Sequence, residues 1–539
     1  MWLDGSSARN TFNLITISTV ATSGFEIAKA QRAECVAVAQ AYVAGLKASD
    51  ARPKLLRLAG DVALGSIALK KARDFWRTVI PSAGGIQRRR FAMMGRQTGD
   101  QGQLFYLFNL ERRIPAGHLL RRINPVVTRI LVELREKLTP FYSDIGRPSI
   151  DPELMIRMLI VGYCYGIRFE RRLCEEVEMH MAYRWFCRLD LDDTVPDHST
   201  FSVNRHGRFR DSDLLRQVFE AVVRACMDAG LIKGEGFAID ASVMEADASR
   251  YHGKAPGEID WSLPERQTRA AAEFLGGLED EDPDANRKLP KAISPSDPCS
   301  AWTAKANKRV QFGYGLNYMI DVEATPARTY DEVAATRMMI DRTETTFGLK
   351  PGRLAADTAY GTGKLLAWLL DKDITPHIPV KEGYERTDGM FPRLDFAYDA
   401  ARDIYICPNG RPLRTSGTVH DGRARNYLSH PGDCRVCKLK KRCTRAPFRK
   451  IARDINEKAR DHARSFTGTP EFDQSSNQRK KVEMRFAHLK THHRFERMRL
   501  RGLSGARDEF HLAATVQNLK TLANYLWPSP SNAAAACVT

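Results

Sequence analysis

The sequence predicts an α/β core that follows a basic, all-helical segment and is interrupted by a cysteine-rich insertion. Three observations carry that expectation. Short apolar runs of strand character end at Asp240 and again at Asp357, with helix-forming stretches between and after them. From Gln103 to about Phe209, apolar residues recur at helical spacing among many arginines. Four of the eleven cysteines, Cys407, Cys434, Cys437 and Cys443, fall within 37 residues.

Composition sets the outer limits. A chain of 539 residues with 43% hydrophobic content can bury more than one core. The net charge of +18 favours a polyanionic partner, although basic bias alone separates nucleic acid from a membrane surface poorly. No run of about 18 apolar residues occurs, which excludes a bilayer-spanning helix. Phe12–Ala21 makes a poor signal peptide, since it follows Asp4 and a single Arg9 and lacks a small-residue cleavage site. A cytoplasmic, nucleoid-associated protein is expected. The other seven cysteines are scattered singly, which argues against a disulfide framework.

Taken in order, residues 1–92 carry helix-forming composition and the basic run Arg88–Arg90 but no catalytic motif, and are read as an extension without an assigned role. Asn124-Pro125 is expected to open a helix on Val127, Ile130, Leu131 and Leu134. Asp151-Pro152 caps the next, Leu154–Tyr165, which Gly166 ends. A third starts at Phe169 and leads to Tyr183–Phe186; Pro196–Thr200 caps a fourth. With Arg168, Arg171 and Arg172 among them, these helices suit a DNA reader as well as they suit a bundle whose arginines are solvated. Asp211–Gly230 makes one more helix, and the period then changes to that of a strand in Gly234–Asp240. Pro256–Pro298, with Glu279–Asp282 and repeated prolines, reads as a loop. Lys305, Lys308 and Arg309 precede a strand-like Phe312–Val322. A helix at Tyr330–Thr346, Asp357 in Arg353–Gly361, a helix at Lys364–Leu370 and a strand at Thr375–Val380 follow the grammar in which functional groups sit beyond the carboxyl ends of parallel strands.

Arg479–Arg501 packs nine Lys/Arg against two acids, one of them Glu483. On a helix, Val482, Phe486 and Leu489 form an apolar stripe, with Arg479, Glu483 and Lys490 on the adjoining face. A surface Glu satisfied by Arg479 is the bland reading. Three carboxylates at strand ends and on a helix are instead what a divalent-metal site for phosphoryl transfer requires. Cys434-x2-Cys437-x5-Cys443 with Cys407-Pro-x-Gly410 has one knuckle of zinc spacing, and structural Zn²⁺ is expected there over a redox pair or no metal.

Phe237–Asp240, Ala355–Gly361 and Lys481–Lys490 resemble the three acidic motifs of bacterial insertion-sequence DDE transposases, the eleven-eighty-two group in particular, which is related to the IS-four and IS-five types. The resemblance covers roughly Met94–Leu526. Arg479, Glu483 and Lys490 reproduce an R-x3-E-x6-K spacing, while Ser476 stands where relatives often carry Tyr. The resemblance implies a ribonuclease-H-like catalytic core with Asp240, Asp357 and Glu483 as catalytic ligands of two Mg²⁺ (or Mn²⁺) ions. It also implies binding to double-stranded DNA at element ends and target through Arg479 and Lys490, and action as a homodimer on DNA. The expected division is an extension at 1–92, a helical DNA-binding domain at 93–230, a catalytic domain at 231–527 with insertions at 256–300 and 381–470, and a disordered tail at 528–539.

Two further readings stay open on sequence. One is a catalytically impaired transposase remnant that only binds DNA. The other is a zinc-stapled structural or RNA-binding protein. The first has a specific motive: Gly313–Val322 reads as one hairpin strand running at once into Glu323–Pro326, which would leave the core sheet a strand short.

Overall fold

The computed structural model describes residues 108–142, 149–208, 212–279, 290–304, 309–380 and 389–528. The expectations for residues 1–92, for Lys305 and Lys308 and for the tail from 529 lie outside the described residues.

Among the described residues, seven α-helices come first: α1 (Leu110–Arg113), α2 (Leu119–Leu138), α3 (Pro152–Tyr165), α4 (Glu170–Met179), α5 (Met181–Phe186), α6 (His198–Val203) and α7 (Leu214–Asp228). Their boundaries follow local chemistry. Asp151 accepts the Glu153 N–H and Pro152 occupies the first turn of α3, while Gly166 ends it at φ 70°. Asp197 caps α6 in the same way. The start of α2 differs from expectation. It begins at Leu119 behind His118 and carries Pro125 inside it. The loss of one backbone bond at Pro125 is outweighed by Leu120, Ile123 and Val127, all buried on the same face. Arg157, fully buried on α3, ties three helices together by donating to Asn124 and Thr128 of α2 at 2.8 Å and to the Phe186 carbonyl of α5 at 2.9 Å.

The chain then builds β1 (Gly236–Ala238), β2 (Asp240–Glu245), α8 (Arg269–Glu279), β3 (Ala301–Thr303), β4 (Gln311–Tyr318), β5 (Val322–Pro326), α9 (Thr329–Phe347), β6 (Arg353–Ala355), α10 (Gly363–Asp371) and β7 (Thr375–His377). Only Ile239 separates β1 from β2, and its N–H donates to the Ala355 carbonyl at 2.9 Å. One extended run therefore serves two sheets. Its first half pairs in parallel with β6, which pairs in parallel with β7. Its second half pairs antiparallel with β4, whose other edge carries β5 and β3. Asp240 does not end a strand, as its apolar run suggested, but lies where the pairing changes partner. The 256–300 segment is likewise more than a loop, since it contains α8.

The hairpin is complete, contrary to the sequence expectation. Residues Met319–Asp321 turn the chain, and β5 pairs with β4 from Tyr318↔Val322 to Tyr314↔Pro326. Two features hide it. The turn lacks Gly, Pro and Asn, and the second strand carries Glu323 and Thr325, both buried, where alternation calls for apolar residues. Glu323 is held there by Arg342 at 2.9 Å and by Arg507, and Asp321 by Arg342 at 2.6 Å and Arg216 at 3.1 Å.

A separate lobe follows: β8 (Ala397–Asp399), β9 (Ile404–Ile406), β10 (Pro412–His420), β11 (Ala424–Ser429), α11 (Pro431–Arg435), α12 (Lys440–Cys443) and β12 (Lys450–Asp454). Its five strands make one antiparallel sheet in the order β12-β11-β10-β9-β8 around a small core of Phe396, Tyr405, Leu413, Tyr427 and Ile451. The insertion ends before residue 470, because α13 (Glu457–Phe466) already buries Ala459 and Ala463 against the parallel sheet's core.

Two helices finish the fold, α14 (Pro470–His492) and α15 (Gly502–Leu526). Phe486 and Leu489 of α14 are buried, as the apolar stripe predicts. The core of α2–α7, the antiparallel strands, α14 and α15 is one continuous cluster, so the helical segment and the sheet do not bury their apolar faces separately. Asp297 fastens the start of α15. It is fully buried and accepts the Tyr314 hydroxyl at 2.5 Å and the Gly502 N–H at 3.0 Å. Burial pushes its carboxyl up to about 6 from an ordinary 3.8. The folded protein thus holds this proton more tightly than the unfolded chain, and the stabilisation is intact below about pH 4 and lost as pH rises to about 6. The thermal midpoint of wild type should therefore fall relative to that of Asp297→Asn as pH rises across that window. A difference independent of pH would overturn the assignment.

Candidate active site

Asp240 and Asp357 stand side by side because of register. Ala238 pairs with Ala355, so two residues further along each chain the carboxylates leave neighbouring parallel strands on the same side. Helix α14 packs across these strands and adds Glu483. The acids meet around one guanidinium: Arg479 Nη1 lies 2.8 Å from Glu483 Oε1 and 4.0 Å from Asp240 Oδ1. Burial lifts the Asp240 carboxyl above its ordinary range. The Ala241 N–H and Arg479 pull it back, and Asp357 and Glu483 push it further up. Three carboxylates against one arginine leave surplus negative charge, and hard oxygen donors are the set a Mg²⁺ ion takes. Among the described residues, no three His, Cys, Asp or Glu side chains stand gathered as a ready coordination shell.

The other expected DNA-binding residues divide. Arg479 pairs with Glu483 and lies near Asp240, where the sequence points to a residue that holds the DNA end rather than neutralising an acid. Lys490 donates to Ser242 on β2 at 2.9 Å and so braces α14 against the strand that carries Asp240. Asp357 spends one oxygen on the Ala359 N–H at 2.8 Å, the ordinary turn-capping role of a strand-end Asp. Arg168 is half-buried, ion-paired with Glu509 and bonded to the Arg494 carbonyl at 3.2 Å, so its guanidinium is engaged within the fold. Arg171 and Arg172 are exposed on α4 and pair with Glu175 and Glu176 one turn on. Arg309 is exposed beside β4.

Tyr360 escapes a reading of the sequence. It is buried with its hydroxyl unpartnered, and burial together with Glu332, Asp240 and Asp357 lifts its phenol well above the ordinary range. Its place three residues after Asp357, in the same turn, is the available signal.

In the lobe, Cys407, Cys434, Cys437 and Cys443 line one cavity of about 30 Å³. Cys407-Pro-Asn-Gly410 is a tight turn with Gly410 at φ 70°, which brings the Arg411 N–H to 3.3 Å from the Cys407 Sγ. Ser429 Oγ lies 3.0 Å from Cys434 Sγ. Burial raises the Cys443 thiol, and the other three cysteines add to the rise against the pull of Arg449.

Among the described residues, no helix is long and apolar enough to cross a membrane. No solved structure matches the chain. Two family models do: residues 108–207 match a transposase domain (DUF772), and residues 406–523 match a transposase DDE domain. The first covers α1–α6; the second takes in most of the lobe, Glu483 and most of α15. Asp240 and Asp357 fall between the two matches and are joined to Glu483 by the geometry above. The chain thus carries a transposase domain and a transposase DDE domain, and its function is DNA transposition.

Proposed function

We propose that Asp240, Asp357 and Glu483 are the catalytic carboxylates of this transposase, and that they hold two Mg²⁺ (or Mn²⁺) ions while the chain cleaves element ends and joins them to target DNA. The observation that carries the reading is that three distant parts of the sequence bring acids together around Asp240: register on the parallel pair β1–β6 sets Asp357 beside it, and Arg479 links it to Glu483. The strand succession β5-β4-β2/β1-β6-β7, antiparallel on one side and parallel on the other, supports a ribonuclease-H-like core, and the R-x3-E-x6-K spacing of Arg479, Glu483 and Lys490 is the ground for the eleven-eighty-two kinship. Bound there, divalent ions would activate a nucleophile and stabilise a leaving oxygen. The chain's own part is to fix the ligands. Ile239 and the β6 pairing set the Asp240–Asp357 register, Lys490 clamps α14 to β2, and Arg479 holds Glu483 toward the strands. Mg²⁺-dependent cleavage and joining on a duplex carrying the flanking ends of the gene's own element tests this, and a protein that binds such ends without cutting them in any divalent ion would refute it. The impaired-remnant reading loses its motive with the complete hairpin.

The four cysteines are read as one structural Zn²⁺ site. A small cavity lined by all four thiols, a Cys407 sulfur that accepts the Arg411 N–H, and a lobe core of only five buried apolar side chains support it. About one zinc per chain is expected after dialysis, falling to none in Cys434→Ser/Cys437→Ser, with Mg²⁺ dependence of cleavage unchanged in kind. A full zinc complement in that double variant would refute it. The helical segment 93–230 and a homodimeric assembly on DNA complete the proposal.

A further inference from the structure

The lobe carries more charge than its thiols need. Residues 411–450 hold twelve Lys/Arg against two Asp, so a stretch of 40 residues supplies ten of the chain's net eighteen positive charges. The charge is not spread evenly. Arg435, Lys438, Lys441, Arg442 and Arg445 are all exposed on the segment that winds through Cys434, Cys437 and Cys443. A second group lies on the sheet: Arg414, Leu428 and Lys450 are cross-strand neighbours on β10, β11 and β12, and all three are exposed on one face. Within this stretch Arg411 pairs with Asp433 at 3.9 Å, and Arg442 rests over the Phe391 ring. Among the described residues, Arg414, Arg435, Lys438, Lys441, Arg445 and Lys450 pair with no carboxylate.

We infer that this face of the lobe is a docking surface for the phosphate backbone of duplex DNA, independent of its sequence. Folded basic surfaces without acids cost self-repulsion, which a polyanion relieves. Lysine and arginine on mobile stems meet phosphates as point charges and fix position without reading bases. An anionic membrane is the poorer fit, because exposed apolar residues here are few, Val436 and Leu428 chief among them, and no amphipathic helix accompanies them. The thiols have a role in the same arrangement: they anchor the loop that presents the cations. The inference rests on DNA as the chain's partner and is independent of the acidic triad, whose element-end cleavage is measured separately.

The test compares the full chain with Arg435→Gln/Lys438→Gln/Lys441→Gln/Arg445→Gln and with the charge-keeping set Arg435→Lys/Lys438→Arg/Lys441→Arg/Arg445→Lys. Each is bound to a random-sequence duplex, to an element-end duplex, to a single-stranded RNA and to vesicles rich in anionic lipid, over a range of salt. The neutral variant should lose about tenfold or more in affinity for both duplexes alike, and its log–log salt slope should fall by about 0.9 for each phosphate no longer neutralised, up to about 3.6 for all four. The charge-keeping set should match wild type, which excludes a folding defect. An unchanged slope on the duplexes, or a loss confined to RNA or to vesicles, would overturn the inference. So would an equal loss in the charge-keeping set.

Discussion

Asp240→Asn, Asp357→Asn and Glu483→Gln should each reduce cleavage and strand joining to background while leaving affinity for element-end DNA within about a factor of two. The loss should exceed the roughly 10–100-fold typical of removing an outer-shell partner of a metal site, because each change removes a proposed direct ligand. Affinity survives because it belongs to lysines and arginines elsewhere. The Asp240 variant has a second, opposite signature. Its carboxylate is held charged against burial and against two like charges, so a neutral amide of the same shape removes a cost. Thermal stability should hold or rise as activity vanishes. A residue whose variant retains metal-dependent cleavage leaves the site; an Asp240→Asn protein that melts well below wild type would show that its carboxylate is structural.

The second large effect falls far from the chemistry. Asp321, 1% exposed in the β4–β5 turn, is the shared partner of Arg342 and Arg216. Asp321→Ala takes a buried partner from two half-buried guanidinium groups and leaves Arg342 with Glu323 and Arg216 with Glu220, and should cost about 3 kcal/mol, the low end for a broken buried pair and a large part of a domain's usual 5–15. Chemical denaturation measures it. Arg216→Met added to Asp321→Ala should recover part of the loss, since a buried ion pair is costly chiefly when half of it is missing, whereas Arg342 still serves the buried Glu323. A cost under about 1 kcal/mol would mean that solvent, with Glu323 and Glu220, satisfies the arginines without Asp321.

Much of this is legible in the chain itself. Helix starts at Asp151 and Asp197, the stop at Gly166 and the apolar stripe of α14 follow from caps and spacing, which are local and therefore visible in a linear sequence. Asp240, Asp357 and Glu483, the acids proposed above, stand out in the sequence because two of them close apolar runs and the third lies on a basic helix. What stays hidden is non-local. β5 escapes detection because its polar residues are satisfied by Arg342 and Arg507 from other parts of the chain, so its buried Glu323 imitates a surface residue. Arg168 imitates a DNA-facing cation for the same reason, its partner Glu509 lying 341 residues away. Pro125 imitates a helix start because the burial that keeps it inside α2 is tertiary.

The central position of α15 has a consequence for how the protein is made. Its Phe510, Leu512, Ala513, Ala514, Val516 and Leu519 are buried in the cluster that α2, α3, α7 and the antiparallel strands also line. A ribosome delivers that helix only after every partner it packs against has emerged. Segments that could otherwise settle in order of synthesis must wait with apolar faces uncovered. Maturation is thus tied to completion of translation through Leu526, and any product cut short before it would go to chaperones and proteases instead of to DNA.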